Sequence, residues 1–508
     1  MKTVFTKRSV LLILFVLSAF MGMAQTTFTV GDLNYRVNDD GISVTVTGHA
    51  NGTNATGELI LPESVNYGGN TYSVTVIGEN AFYACSGLTG DLIIPNTVVS
   101  IEAGAFYYCY GFMGTLTIGN SVETIGDIAF GYCTYMTGGL TLPNSLISVG
   151  DGAFAYCYGF TGDLIIPNSV THIGESAFQI CYGFDGALVI GNSVTYIGDY
   201  AFNSCDGLKG IATIPSCVES IGGNTLGYCA FDGIVVDSDN GIYDSREDCN
   251  AIIVTSTNEL ITGCKSTIIP NTVTAIGDNA FKGITGMTSI HIPHSVTSIG
   301  ENAFAFCYDL TGDLVIPDDV TTIGSGAFFN CENFKGTLVI GASVSFIGDY
   351  AFRNCSGFTG AVSNAETPPV LGNEWGGMVF DGFWVSSLVV PCGCSMAYQN
   401  SDWYDPYGMY GFYEFIEDCS VVSEDGVMVS VVYPNPFISE VHISAAEAVN
   451  GNANISVYNI LGEQVISKAM QCNGTTEFVI DGSSLMSGIY FYSISTENGM
   501  MQGRIVKE

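Results

Sequence analysis

The tightest constraint on this chain is a period. An Ala-Phe pair recurs at Ala81, Ala105, Ala129, Ala153, Ala177 and Ala201, each step being 24 residues with no slippage. The unit reads most cleanly at residues 159–182, GFTGDLIIPNSVTHIGESAFQICY. The frame persists through Thr225-Leu226, where the pair is degraded, jumps 55 residues to Ala280, and continues at Ala303, Ala327 and Ala351, giving eleven units. A fixed repeat of this length marks a solenoid, because one such unit is too small to bury its own apolar face and must lean on its neighbours.

Within a unit, Leu164 and Ile166 alternate around Ile165 in a run stopped by Pro167, which predicts a strand of three to five residues. Val170 and Ile173 supply the next apolar pair. Gly174 follows at a corner where positive φ is expected, and it recurs in ten of the eleven units. Glu102 is the exception, so the second unit is expected to turn differently or under strain. Ala177, Phe178, Cys181 and Phe184 complete an apolar interior. Coils stacked about 4.8 Å apart would bury one another, and eleven of them would extend on the order of 50 Å.

The string L-x-I-P-x-x-V-x-x-I-G-x-x-A-F-x-x-C resembles the repeat of the BspA-like, Treponema-type leucine-rich repeat proteins, over roughly residues 28 to 417. That resemblance implies a curved solenoid with parallel strands, a place on a bacterial surface, a role in adhesion and no known catalytic residues. The predicted fold class is therefore mainly β: a curved leucine-rich-repeat solenoid of about eleven 23–24-residue repeats with β-hairpin caps, followed by a small C-terminal β-sandwich.

Composition agrees with a secreted β protein. Glycine takes 63 of 508 positions and only 12% of residues are charged, against usual shares of about 7% and about 25%. Thirteen basic residues face 49 acidic ones for a net charge of −36, which argues against nucleic acid or an anionic membrane as partner. Acidic pairs such as Asp318-Asp319 lack the compact loop that a divalent cation needs. At the start, Lys2, Lys7 and Arg8 precede the apolar run from Val10 to Phe20, and Gly22-Met23-Ala24 offers small residues to a signal peptidase. Residues 1–24 are thus predicted to be a signal peptide, leaving a mature chain without a membrane span.

Residues 25–76 fall outside the period but alternate apolar and polar residues around Asp40-Gly41, a hairpin signal that predicts an N-terminal cap. The repeats are assigned to 77–362, with a variant hairpin insertion at 231–266 turning near Thr257-Asn258. Its Cys249 and Cys264 are a disulfide candidate. Residues 363–419 are expected to close the far end with Tyr398, Trp403, Phe412 and Phe415; one bridge among Cys392, Cys394 and Cys419 is open. A linker is placed at 420–430.

From 431 to 508 the pattern changes to short alternating strands, predicting a sandwich. Tyr433-Pro434-Asn435-Pro436-Phe437, then Val457-Tyr458-Asn459 with Gly462, then Gly488-Ile489-Tyr490 and the terminal Ile505-Val506-Lys507 are similar to the C-terminal sorting domain of type IX secretion. This implies handling by the type IX machinery, passage through the periplasm and across the outer membrane, and removal of the domain.

Ten of the 17 cysteines share one slot: Cys85, Cys109, Cys133, Cys157, Cys181, Cys205, Cys229, Cys307, Cys331 and Cys355, with Ile284 in the eighth unit. Equivalent side chains of stacked coils sit about one strand spacing apart, beyond the roughly 3.8 Å between Cβ atoms that a disulfide favours, so a buried thiol ladder is expected. A linear ladder does not converge on a metal, and no base accompanies any one thiol. His291 and His294 straddle Ile292-Pro293 and are expected on different sides of the chain. No nucleophile elbow or phosphate loop occurs, and no cofactor is implied. The sequence predicts a non-enzyme.

Two rows offer a contact surface. One is the outward strand position, occupied by Ile93, Thr117, Thr141, Ile165, Val189, Thr213, Ile268, His291, Val315 and Val339. The other flanks the ladder cysteine: Tyr108, Tyr110, Tyr132, Tyr156, Tyr158, Tyr182, Tyr228 and Tyr308. If the cysteine points inward, these rings lean outward as an aromatic strip, either to bind a partner or to shield the stack. The functional expectation is a protein-interaction or adhesion module of the cell surface, with glycan binding or a structural envelope role as alternatives.

Overall fold

The computed structural model describes residues 25–372, 378–405, 411–418, 430–433, 435–459, 463–496 and 499–507. The predicted signal peptide and most of the predicted linker lie outside them. No helix among the described residues is long and apolar enough to cross a membrane.

Most coils contribute two short strands, one more than the sequence predicted, while residues 139–143, 267–270 and 289–293 form no strand at the expected position. The expected one pairs in register with its neighbour, as in Leu164↔Leu188 and Ile165↔Val189, but is broken into small sheets. The continuous ladder is built instead from the second apolar pair. Ser100–Ile101, Thr124–Ile125, Ser148–Val149, His172–Ile173, Tyr196–Ile197 and Ser220–Ile221 are parallel, each residue facing its equivalent one period on. Two-residue strands survive because each hydrogen-bonds to both neighbours.

The N-terminal cap feeds this ladder. Leu33–Val37 and Ser43–His49 are antiparallel around Asp40-Gly41, where Gly41 has φ +70° and Asp40 Oδ1 accepts the amides of Ile42 and Ser43. Asn70–Ile77 then pairs in parallel with both Ser43–His49 and Ser100–Ile101, making one 11-stranded sheet. The insertion ends that sheet and starts another. Ala251–Val254 and Glu259–Gly263 form a hairpin with Asn258 at φ 56°, and Glu259–Gly263 pairs in parallel with Ala275–Ile276, opening an eight-stranded sheet. Cys249 and Cys264 are buried free thiols, so the candidate bridge is absent.

Inside, the period becomes a column of stacked rings. Phe82, Phe106, Phe130, Phe154, Phe178 and Phe202 follow one another at 5.2 to 5.6 Å between centroids, within 8° of parallel. Phe281, Phe304, Phe328, Phe352 and Phe380 repeat the column beyond the insertion. Burying one such ring contributes about 2 to 3 kcal/mol. The column ends on Phe380, which packs against Trp403 and Phe412. Trp403 Nε1 donates to Pro369 O, and Tyr398 bonds Ser363 and Ala365.

The repeating glycine has a different cause from the one expected. None of Gly126, Gly150, Gly174 or Gly198 has positive φ; a Cβ at Gly174 would lie 2.5 Å from Asp151 Oδ1 and 2.6 Å from its amide nitrogen. The neighbouring coil, not the backbone angle, demands glycine. Left-handed φ falls elsewhere, at two slots per coil: the residue before the Ala-Phe pair and the residue before the ladder cysteine. Glu102 reaches back to the first coil, where its Oε2 accepts the Glu79 amide at 2.8 Å. Ordinary corners run the other way. Asp127 and Asp151 accept the amide of the equivalent residue in the next coil at 2.9 and 2.7 Å.

Contacts divide the chain into two compact units. The first holds the N-terminal cap, the repeats and the chain as far as Leu388, together with Tyr398–Glu414; the second takes in Val389–Ala397 and the chain from Phe415 onward. Cys392 is disulfide-bonded and Cys394 is free; Cys419 lies outside the described residues.

In the second unit, Glu440–Asn459 pairs with Ser430–Tyr433, Gln464–Asp481 and Gly488–Thr496. Register breaks between Ser444 and Val449 interrupt the long pairing of Glu440–Asn459 with Gln464–Asp481. Val441, Ile443, Phe478 and Ile480 share a common core with Ile455, Val457, Ile494 and Ile505.

Candidate functional site

The two candidate rows fare differently. Along the outward strand, Ile93, Thr117, Thr141, Ile165, Val189, Thr213, Ile268 and His291 are exposed, but Val315 is half-buried and Val339 buried.

Beside the cysteines, ring touches ring. Tyr108 packs on Tyr132 at 4.7 Å, Tyr132 stacks on Tyr156 at 4.2 Å, Tyr156 meets Tyr158 at 6.2 Å, and Tyr158 stacks on Tyr182 at 5.4 Å. Tyr110 joins through Tyr108 at 5.6 Å. The ladder splits into two depths. Tyr108, Tyr132, Tyr156 and Tyr228, before the cysteine, are half-buried at φ 58 to 62°, while Tyr110, Tyr158, Tyr182 and Tyr308, after it, are exposed. Left-handed backbone turns the first set sideways onto the neighbouring rung, and the second set stands above them. Desolvation, with the Tyr156 hydroxyl alongside, pushes Tyr132 up to about 12.

Sequence reasoning missed Tyr83, Tyr107, Phe306 and Phe329. Tyr83 and Tyr107 pack at 5.8 Å and extend the strip by one coil, and Phe306 joins Tyr308 at 6.1 Å and Phe329 at 5.2 Å. Their signal was one residue further from the cysteine than the row considered, or a Phe in a Tyr slot. Tyr228 and Phe306 are two coils apart and yet lie 6.3 Å between centroids. Gly283 explains it: the Tyr228 ring lies where a Cβ there would be, 2.2 Å from Cε1.

Behind the strip, the cysteines form a column of buried thiols. Cys109, Cys133, Cys157, Cys181, Cys205 and Cys229 each donate to the Phe carbonyl of the preceding coil, at 3.0 to 3.2 Å, and Cys307, Cys331 and Cys355 repeat this at 3.0 to 3.1 Å. Cys85, at the cap, bonds Gly52 O at 3.4 Å. All ten are free. Burial pushes Cys133, Cys307 and Cys355 up to about 12, so they are thiols and not nucleophiles. Among the described residues no three His, Cys, Asp or Glu side chains gather as metal ligands. His294 pairs with Asp319 at 2.9 Å, and His172 stacks on Tyr196 at 4.4 Å.

In the second unit, parts of the sorting motif meet in space. Asn435 Nδ2 donates to Arg504 O at 3.2 Å, and the Val506 amide donates to Asn435 Oδ1 at 2.7 Å. Phe437 is buried, its amide bonds Val506 O, and Lys507 Nζ stands 6.0 Å from its ring centroid. Asn435-Pro436 is cis. Gly488 and Tyr490 pair with Lys507 and Ile505. Tyr433 ends a strand opposite His442; Pro434 and Gly462 lie outside the described residues.

None of the curated proteins matches the chain. Among solved structures, it is similar to a leucine-rich cell surface protein from Faecalibacterium prausnitzii, at 26% identity and TM-score 0.53 over 67% of this chain and 95% of the other. A leucine-rich repeat protein from Bacteroides ovatus gives 22% identity and TM-score 0.48 over 76% and 99%. The pneumococcal vaccine antigen PcpA gives 14% and 0.48 over 78% and 100%. Residues 431–508 match the secretion system C-terminal sorting domain, which points to type IX secretion to the cell surface or extracellular space. Residues 69–185, 186–246 and 257–362 match the BspA-type leucine-rich repeat region, and on that match the chain belongs to the BspA-type leucine-rich repeat family.

Proposed function

We propose that this protein is an adhesion or protein-interaction module displayed outside the cell, and that it engages its partner through the tyrosine strip. The observation that carries the proposal is the unbroken ring contact from Tyr83 to Tyr182, with its outer row exposed. Rigid aromatic side chains give contact area and hydroxyls at low entropic cost, and the coil fixes their spacing. A partner protein is favoured over a glycan. Sugars lie flat on open ring faces, whereas here stacked faces largely cover one another and present edges and hydroxyls.

The depth split supplies a clean test. Tyr110, Tyr158 and Tyr182 replaced together by Ser leave the left-handed slots untouched. Binding of the purified protein to an array of surface proteins is expected to fall at least tenfold, with the melting temperature within a few degrees of the parent. Unchanged binding rules the strip out, and a large fall in melting temperature assigns it to shielding the stack. Stronger signal on a glycan array than on the protein array would favour the second reading.

Export is the other half of the proposal. Deleting residues 431–508 is expected to leave the protein in the periplasm of a host with type IX machinery, and the surface form should lack this domain. Surface display that survives the deletion, or Lys507 found by mass spectrometry in the surface form, would refute this.

A further inference from the structure

The N-terminal cap and the first two coils surround a cleft that carries charge of both signs. Strands Leu33–Val37 and Ser43–His49 contribute Arg36, Thr45 and Thr47, with Arg36 directly opposite Thr45 in the pairing. The first corner adds Gly78, Glu79 and Asn80, and the second coil adds Glu102. These residues line a cavity of about 520 Å³. Such a volume suits a small organic molecule, and a wall of polar side chains with one glycine suits a charged or hydroxylated one.

Two features of the cleft are not needed by the fold. Arg36 is charged and without a partner: its guanidinium makes no hydrogen bond or ion pair among the described residues, although Nε is buried and two carboxylates line the same cavity. Taking such a donor out of water without replacing its hydrogen bond is costly. Arg246, by contrast, is held by Asp244 and Asn258. The second feature is Glu102, which stands where ten of the eleven units carry glycine. Its Oε2 is fixed by the Glu79 amide at 2.8 Å, which leaves Oε1 without a hydrogen bond. Glu79 Oε1 is reached only by Asn80 Nδ2, at 3.4 Å. Residues that break a local rule without a packing gain concentrate at functional sites.

We propose that the cleft binds a free dibasic amino acid of the lysine type, its α-carboxylate on the Arg36 guanidinium and its two ammonium groups on Glu79 and Glu102. A guanidinium takes a carboxylate through paired N–H donors, and an ammonium group offers three donors that carboxylates accept. One positive and two negative groups on the wall match one negative and two positive groups on the ligand, so every charge in the complex is paired. A neutral sugar would leave all three unpaired. The site does not use the tyrosine strip, so it stands or falls independently of the adhesion reading.

Calorimetric titration of the full purified chain with L-lysine, lysinamide and norleucine at physiological salt reads each contact separately. Lysinamide lacks the carboxylate and norleucine the side-chain ammonium, and each is expected to bind at least tenfold more weakly than lysine. Arg36→Gln should bring lysine and lysinamide to within twofold of each other. Glu102→Gly gives the second coil the residue of the other ten; it should bring lysine to within threefold of norleucine, with the melting temperature within a few degrees of the parent. Glu79→Gln, at an exposed position, should weaken lysine at least fivefold and decides the matter should either of the other variants fail to fold. Glu219→Gln, an equal loss of charge at an exposed position outside the cleft, should alter no ratio more than twofold. Lysinamide binding the parent as tightly as lysine would reduce the effect to attraction of a cation by a chain of charge −36 and overturn the site. No heat with lysine at millimolar concentration, or lysine binding unchanged in Glu79→Gln, would overturn it as well.

Discussion

Backbone angle decides side-chain direction at the level of single residues. The slot before the Ala-Phe pair is left-handed in every coil, and Asn80, Asn224, Asn279, Asn302, Gly104, Gly152 and Gly326 occupy it at little steric cost. Ile128 occupies it too, at φ 48° with its side chain 37% exposed. A β-branched residue there carries about 1 to 2 kcal/mol of strain. Ile128→Asn is therefore expected to stabilise the protein by about 1 kcal/mol, read as a rise in the denaturant midpoint. A fall would mean that the ring of contacts around Ile128 outweighs the backbone term. Gly174→Ala should do the opposite, because a Cβ there meets Asp151 backbone within 2.6 Å; an overpacking cost of about 1 to 3 kcal/mol is expected. The recurrence of that glycine was visible in the sequence, but its reason was not. A period says that a residue is needed in each coil and is silent on whether an angle or a neighbour needs it.

At the scale of elements, the thiol column ties stability to pH. Cys133, Cys307 and Cys355 are raised by burial from an ordinary 9 to about 12. For an acid whose folded pKa is raised, the unfolded chain gives up its proton first, so the contribution is fully present below pH 9 and is lost as pH climbs towards 12. Each such thiol costs about 1.4 kcal/mol per pH unit in that window, and these three together about 4. Steep alkaline unfolding between pH 9 and 12 is the expected result, followed by circular dichroism. Cys133→Ala and Cys355→Ala together should make the transition shallower while lowering stability at pH 7, since each removes a buried S–H donor. Equal slopes would show that the column is not the titrating element. The exposed Asp91 moves the other way: the Thr115 amide lowers its pKa, so its contribution disappears only as pH falls through the carboxylate range.

The column was legible from the sequence because ten cysteines share a slot and equal stacking distances forbid bridges. The second strand of each coil was not. Two residues such as His172–Ile173 carry no alternation to read, and they become a strand only through pairing with Tyr196–Ile197 and Ser148–Val149. Ring contacts between Tyr108, Tyr132 and Tyr156 were equally hidden, because adjacency followed from the period while orientation depended on left-handed backbone.

For the whole molecule, the insertion is the place where nearest-neighbour stacking is interrupted. The ladder sheet ends at Ser220–Ile221 and resumes from Glu259–Gly263. Tyr228 spans the eighth coil by lying on Gly283, so Gly283→Leu should displace the ring and weaken coupling between the two repeat arrays. Two separate melting transitions where the parent shows one would report this; a single transition at the parent temperature would show that the bridge carries no coupling. Solenoids obey such one-dimensional logic because each coil touches only its neighbours.

Asn435 is held by Arg504 and Val506, residues made some seventy positions later. A ribosome releases those partners well after Asn435, so the loop that holds the sorting motif has nothing to close against until they emerge. A chain stopped before Arg504 would carry the early half of the label and fail to display it.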